Sequence, residues 1–159
     1  MLIDAGAEVN AQGRFYGSAL QAASLGGHEK VVQMLLVNGA EINAQGGFYD
    51  NALQAASLHG NEKVVQMLMD AGAEVNAQGG FYGNVLQAAA RSGRKKVVRM
   101  LIDVGAEINT QGGRHGTALQ VASLGGHEMV VQIPLGNGAE VNAQGGEYGT
   151  ALEATSWHG

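Results

Sequence analysis

Gly27-His28-Glu29-Lys30-Val31-Val32-Gln33-Met34-Leu35-Leu36, followed by Gly39-Ala40-Glu41-Ile42-Asn43-Ala44-Gln45-Gly46, decides how this chain folds. Nearly the same words return as Gly60-Asn61-Glu62-Lys63-Val64-Val65-Gln66-Met67-Leu68-Met69, with Gly72-Ala73-Glu74-Val75-Asn76-Ala77-Gln78-Gly79 after them. The Asn-Ala-Gln-Gly mark stands at Asn10, Asn43, Asn76, Asn109 and Asn142, with Thr110 the only change in its second position. Every step is 33 residues, without insertion or deletion. A fixed period of this size marks a supersecondary unit that cannot bury its apolar face alone and does so by stacking on its copies.

The unit from Asn43 to Val75 shows what is stacked. Asn51 precedes Ala52-Leu53-Gln54-Ala55-Ala56-Ser57-Leu58, a short run of helix formers, and its side chain is of the kind that caps a first turn. Gly60 interrupts the chain, and Glu62 to Ala71 reads as a second helix. Val64, Val65, Leu68 and Met69 form one apolar stripe on it, and Glu62 sits at the positive end of its dipole. Gly72 fits the left-handed position that ends a helix. The polar, glycine-containing segment from Ala73 to Gly83 predicts an extended loop with a hairpin. The fold class is therefore all-α: a solenoid of stacked helix–turn–helix units with protruding hairpin loops, forming one domain over 1–159. Four full repeats (about 10–42, 43–75, 76–108 and 109–141) lie between half-repeats 1–9 and 142–159, so the chain reads as an excised piece of a longer array or a truncated relative of one.

The length, the helix order and the Gly-Ala-Glu-Ile-Asn-Ala loop at 39–44 resemble the ankyrin repeat, over the whole chain. Two features depart from it. The family's Thr-Pro-Leu-His is here Ser18-Ala19-Leu20-Gln21 and its variants, with glutamine for histidine. The usual hairpin glycine is replaced by Tyr16, Tyr49, Tyr82, His115 and Tyr148, with flexibility expected to move to Gly46-Gly47 and its equivalents. The wording and near-identity of the units are similar to the ankyrin tails of fungal NACHT-type receptors, which implies the recognition end of a larger sensor.

Because core columns of a solenoid must match, columns that differ between units point to the surface. One runs Phe15, Phe48, Phe81, Arg114, Glu147; a second, late in the first helix, runs Leu25, Leu58, Arg91, Leu124, Trp157; the third runs Gly26, His59, Ser92, Gly125, His158. The resemblance implies that hairpin tips and first-helix ends line a concave face that touches protein partners. The candidate partner-binding residues are these varied positions, namely Phe15, Phe48, Phe81, Arg114, Glu147, Leu25, Leu58, Arg91, Trp157 and His59, with Arg14 and Asp50 beside them. All three Phe and all four Tyr stand at hairpin tips, which leaves the core to Leu, Val, Met, Ile and Ala. The Phe column is expected to form a contact ridge, because Arg and Glu also occur in it and charge is costly at a buried site. The Tyr column is expected to stack on itself and stiffen the hairpins.

Other functions find little support. The 26 glycines, about 16% against roughly 7% on average, are positional, so the chain is not low complexity. A net charge of −5 argues against a general attraction to nucleic acid. Arg91, Arg94, Lys95, Lys96 and Arg99 crowd one unit, but no base-stacking aromatic sits among them. They read as a solvated helix face, with an acidic partner or neighbouring domain as the alternative. With no cysteine there is no disulfide or thiolate metal site. His28 and His127 read as structural hydrogen-bonding groups, and His59 and His158 are three units apart, so no metal and no cofactor is expected. The Glu8, Glu41, Glu74, Glu107, Glu140 column recurs once per unit, as a loop role would. The double glycines lack the Lys-Ser/Thr of a phosphate loop, and no serine has a matching His and Asp. The expectation is no enzyme. No apolar run or signal pattern points to a membrane, and the cytoplasm is the default compartment, with the nucleus open. The alternative to partner binding is end-to-end self-association through the half-repeats, with a small-molecule-binding or catalytic variant behind it. Pro134 stands where Leu35, Leu68 and Leu101 stand, inside a second helix, followed by Gly136, and marks the fourth unit as the soft one.

Overall fold

A computed structural model describes residues 8–114 and 116–156. The expectations placed on residues 1–7, His115, Trp157 and His158 lie outside them. First helices α1 (Ala19–Leu25), α3 (Ala52–His59), α5 (Val85–Arg91), α7 (Ala118–Leu124) and α9 (Ala151–Ser156) alternate with second helices α2 (Glu29–Val37), α4 (Glu62–Asp70), α6 (Lys95–Asp103) and α8 (Glu128–Gly136). Between α4 and α5, β1 (Gln78–Gly79) pairs antiparallel with β2 (Gly83–Asn84), and single bridges join Gly13 to Gly17 and Gly112 to Gly116 at the same point of other units. The protein is thus a mostly helical solenoid of helix–turn–helix units carrying small hairpins.

The capping residues act as their types predict. Ser18, Asn51, Asn84 and Thr117 each accept the backbone N–H of the glutamine three residues on, at 3.3, 2.8, 2.9 and 3.3 Å. Gly60 ends α3 in the left-handed conformation at φ 75°, where a side chain would be strained. Ala55, Ala56, Ala88, Ala89 and Ala122 are fully buried, and these small residues bring the first helices together. First helices pack on one another far more closely than second helices do. The stack therefore curves, with the first helices and hairpins on its inner side. Val32, Val64, Val65, Leu68, Val97, Val98 and Leu101 carry the apolar stripes of the second helices into the core.

Across every joint, side chains reach the backbone of a neighbouring unit. Asn10 accepts from Glu41 N–H at 2.8 Å and donates to the Gly39 carbonyl at 3.1 Å; Asn43, Asn76 and Asn109 repeat both bonds one unit further on each time. Gln21, the residue that stands for the family's histidine, donates through Nε2 to the Ala44 and Gly46 carbonyls at 3.1 and 3.2 Å and to that of Asp50. Gln120 repeats all three from the fourth unit, and Gln87 in the third bonds the Thr110 and Gly116 carbonyls. A third row stands at the N-caps of the second helices. Asn61 Nδ2 donates to Leu25 O at 3.0 Å, Arg94 Nε to Leu58 O at 3.0 Å, and His127 Nε2 lies 3.0 Å from Arg91 O. His127 is thus the structural group expected of it. Arg94, expected on a solvated face, is exposed and also joins two units.

Gln54 breaks the glutamine pattern. A Cβ at Gly17, Gly83 or Gly116 would overlap the amide oxygen of Gln21, Gln87 or Gln120 in the same unit. In the second unit that position is Asp50, held at φ 66°. Its side chain takes the space, and Gln54 Nε2 is left with one 3.3 Å bond, to Gly79 O; its Oε1 is unpartnered, as is that of Gln87. Asp50 is only 9% exposed. Burial lifts its carboxyl above the ordinary 3.8, against the opposing hydrogen bond from Asn51.

Replacing Asp50 by Gly should therefore stabilise the protein at neutral pH by about 1–3 kcal/mol, the usual cost of such a strained backbone, read as a shift of the urea midpoint. With its pKa raised, folded Asp50 holds a proton more readily than unfolded Asp50, so the wild type gains stability as pH falls through the raised value toward 3.8. The advantage of Asp50→Gly should shrink over that window, and equal midpoints at neutral pH would refute the account. A second prediction concerns α8, which keeps the nine-residue span of α2, α4 and α6 although Pro134 cannot donate to the Val130 carbonyl. Pro134→Leu should add about 3 kcal/mol. In the wild type, amide exchange should be faster over 128–137 than over 62–71.

Candidate interaction surface

The hairpins place their aromatic residues through backbone contacts between units. Phe48 N–H donates to Phe15 O at 2.9 Å, and Glu147 N–H donates to Arg114 O at 2.9 Å, so successive hairpin tips abut. The glycine pairs provide clearance for this, where flexibility was expected of them. A Cβ on Gly47 would lie 2.6 Å from Gly17 N and 2.7 Å from Phe15 O, and Gly47 itself sits at φ 67°.

With the hairpins in this register, the Phe15, Phe48 and Phe81 rings stack nearly parallel, with centroids 5.7 and 5.4 Å apart and interplanar angles of 13° and 19°. The Tyr rings stand edge-on to them: Tyr16 against Phe15, Tyr49 against Phe48 and Tyr82 against Phe81, at 5.0–5.2 Å. The expected roles are thereby exchanged. Face-to-face stacking runs through the Phe column, and the Tyr rings brace it. The Phe rings nonetheless keep their outer edges in solvent, at 56%, 37% and 39% exposure. Further along the column, Arg114 and Glu147 form an ion pair at 2.9 Å, exposed and so of little energetic weight. Exposure also explains why a charged pair is tolerated in the same column.

Tyr49 and Tyr82 lie near the ends of first helices. Tyr49 meets the His59 ring edge-on at 6.3 Å. Burial raises the Tyr82 phenol pKa, as does neighbouring Tyr49, while the charge of Arg91 opposes both. Partial burial, and after it the charge of Arg94, holds the His59 imidazole below its ordinary value. Tyr49, Tyr82, His59 and Arg91 thus share one patch on the inner side of the second and third units. Of the remaining candidates, Arg14 is exposed at the first hairpin, Leu25 is half-buried, and Asp50 is buried against Gly79. Leu58 is a correction: it is 7% exposed, because the first helices close over it, and the surface at that point belongs to His59. Tyr49 and Tyr82 were missed as surface residues. Their step of 33 was visible, but which of two adjacent aromatic residues faces the helices depends on the hairpin.

Among the described residues, no group of three or more His, Cys, Asp or Glu could hold a metal ion, and no helix is long and apolar enough to cross a membrane. Residues 1–79 and 78–145 match the family model of ankyrin repeats, in three copies, and no curated protein gives a match. The chain belongs to the ankyrin repeat family. Such repeats are in general protein–protein interaction modules and typically non-catalytic scaffolds.

The Phe stack has a measurable weight. An aromatic pair contributes about 0.5–1.5 kcal/mol beyond its area, and Phe48 has a neighbour on each side whereas Phe15 has one stacked partner. Phe48→Ala should lower the unfolding free energy about twice as much as Phe15→Ala, by urea denaturation.

Proposed function

We propose that the chain binds a protein partner through its hairpin ridge and inner face, as the recognition part of a larger intracellular receptor, and that it performs no catalysis itself. Four full repeats about 10–42, 43–75, 76–108 and 109–141, with the flanking half-repeats, act together as one rigid binding domain. The observation that carries the reading is the stack of Phe15, Phe48 and Phe81, pre-ordered by the hairpins yet with more than a third of each side chain in solvent. Aromatic groups already fixed in place lose little entropy when a partner covers them, and they supply much of the energy of protein interfaces. Arg14, Arg114 and Glu147 sit at hairpin tips of the same ridge, where charged groups add selectivity more than affinity. Leu25 and His59 border it on the helix side. Trp157, in the same column as Leu25 by sequence, extends the set.

A second reading is self-association. Leu152 stands in the column of the buried Leu20, Leu53, Leu86 and Leu119 but is 79% exposed, so α9 offers apolar surface to a second copy. Against it, the glutamine column continues as Glu153, whose carboxylate accepts from Thr150 N–H at 2.7 Å and has no N–H to donate across a joint. Light scattering over a range of concentrations separates the two, since end-to-end stacking gives mass that grows with concentration.

The direct test is a pull-down from cell extract with the wild type beside the Phe15→Ala, Phe48→Ala, Phe81→Ala triple variant, after circular dichroism has shown equal helix content. The wild type should retain a partner that the variant loses. Identical captures would reduce the ridge to a stiffening element.

A further inference from the structure

Carboxylates are divided unevenly between the two sides of the stack, while six of the nine cations lie with most of them on the second helices or, as Arg94 does, at the N-cap of one. In the second unit Glu62, Asp70 and Glu74 all belong to the second helix or the loop after it, and the other units follow the same plan. On the described hairpins and first helices only three carboxylates occur, and none faces the patch around His59 unengaged. Asp50 is buried beside Asn51 with its pKa raised, Glu147 is paired with Arg114, and Glu153 caps its own helix. A protein of net charge −5 thus carries, on the inner side of its second and third units, a patch whose ionisable side chains are cationic or neutral donors. Arg91 lies half-buried at the end of α5 next to Tyr82, His59 stands beside Tyr49, and Arg94 adds its charge from the joint below.

We infer that this patch binds a carboxylate side chain of an extended acidic peptide segment, whose neighbouring apolar residues lie along the Phe15–Phe48–Phe81 ridge. The inference rests on the interaction reading and adds the chemistry of the partner. A guanidinium offers a planar pair of donors that matches a carboxylate, and phenol hydroxyls beside it supply further donors. Partial burial makes each such bond stronger than on an open surface. A nucleic acid fits less well. Phosphate backbones are held by several cations released together, and here one arginine faces the groove on an acidic protein.

The test is fluorescence anisotropy with a short labelled peptide alternating Glu with Leu and Phe, its charge-reversed Lys analogue, and a single-stranded oligothymidylate. The acidic peptide should bind and the other two should not. Arg91→Ala should weaken it roughly tenfold, the weight of one charge-assisted hydrogen bond, and Arg91→Lys should recover part of the loss. Urea midpoints of both variants exclude a folding defect as the cause. Binding of the acidic peptide unchanged by Arg91→Ala, or preference for the Lys analogue or the oligonucleotide, overturns the inference. Failure of the acidic peptide, alongside a pull-down partner that depends on the three Phe, overturns the acidic chemistry and leaves the ridge in place.

Discussion

The structure depends on side-chain amides that cross each joint and bond to backbone. Asn10, Asn43, Asn76 and Asn109 each bond a carbonyl and an N–H in the next loop, while Gln21, Gln87 and Gln120 bond carbonyls of the next hairpin. Loops and hairpins of this kind present backbone groups that no regular ladder satisfies; the asparagine bonds lie at the surface, whereas those of the glutamines are partly buried, where an unpaired group is costly. The amides satisfy them only if the next unit arrives in fixed register. This explains why the 33-residue step admits no insertion: one extra residue would leave donors and acceptors unpaired at two joints.

The ridge inherits its geometry from that register. Phe rings 33 residues apart come to 5.4–5.7 Å because the hairpins that carry them are bonded edge to edge, and the hairpins come that close because Gly47 and its equivalents have no side chain. Stiffening and binding, which the sequence already allows to hold together, are therefore compatible. The rings touch through their faces and leave their edges to solvent, so the stack that rigidifies the hairpins is itself the surface a partner would meet.

Asp50 shows the limits of the plan. In other units glycine leaves room for the amide of the first helix, whereas in the second unit a carboxylate takes the room, adopts a backbone conformation that glycine tolerates best, and leaves Gln54 only the Gly79 bond of its row. The joint beside the His59–Arg91 patch is thus the least regular of the four. Strain of this kind often accompanies function, and it adjoins the part of the inner face where the units differ most.

Much of this was fixed before any coordinates. The repeat length, the capping residues, the apolar stripes of the second helices and the family all follow from periodicity, because each unit is a copy whose neighbours are known in advance. So did the membership of the Phe column, since Arg114 and Glu147 in it marked it as exposed. The tertiary structure decided what periodicity cannot encode. Phe and Tyr are adjacent and equally periodic, and only the turn of the hairpin makes one stack and the other brace. Leu58 was read as surface, but first helices approach closely enough to bury it. Arg94 counted as one of five basic residues, and only the juxtaposition of two units turns its guanidinium onto the Leu58 carbonyl. A sequence repeats its residues along one dimension. Which face each side chain takes depends on backbone direction and on the neighbouring copy, and those exist only once the units are stacked.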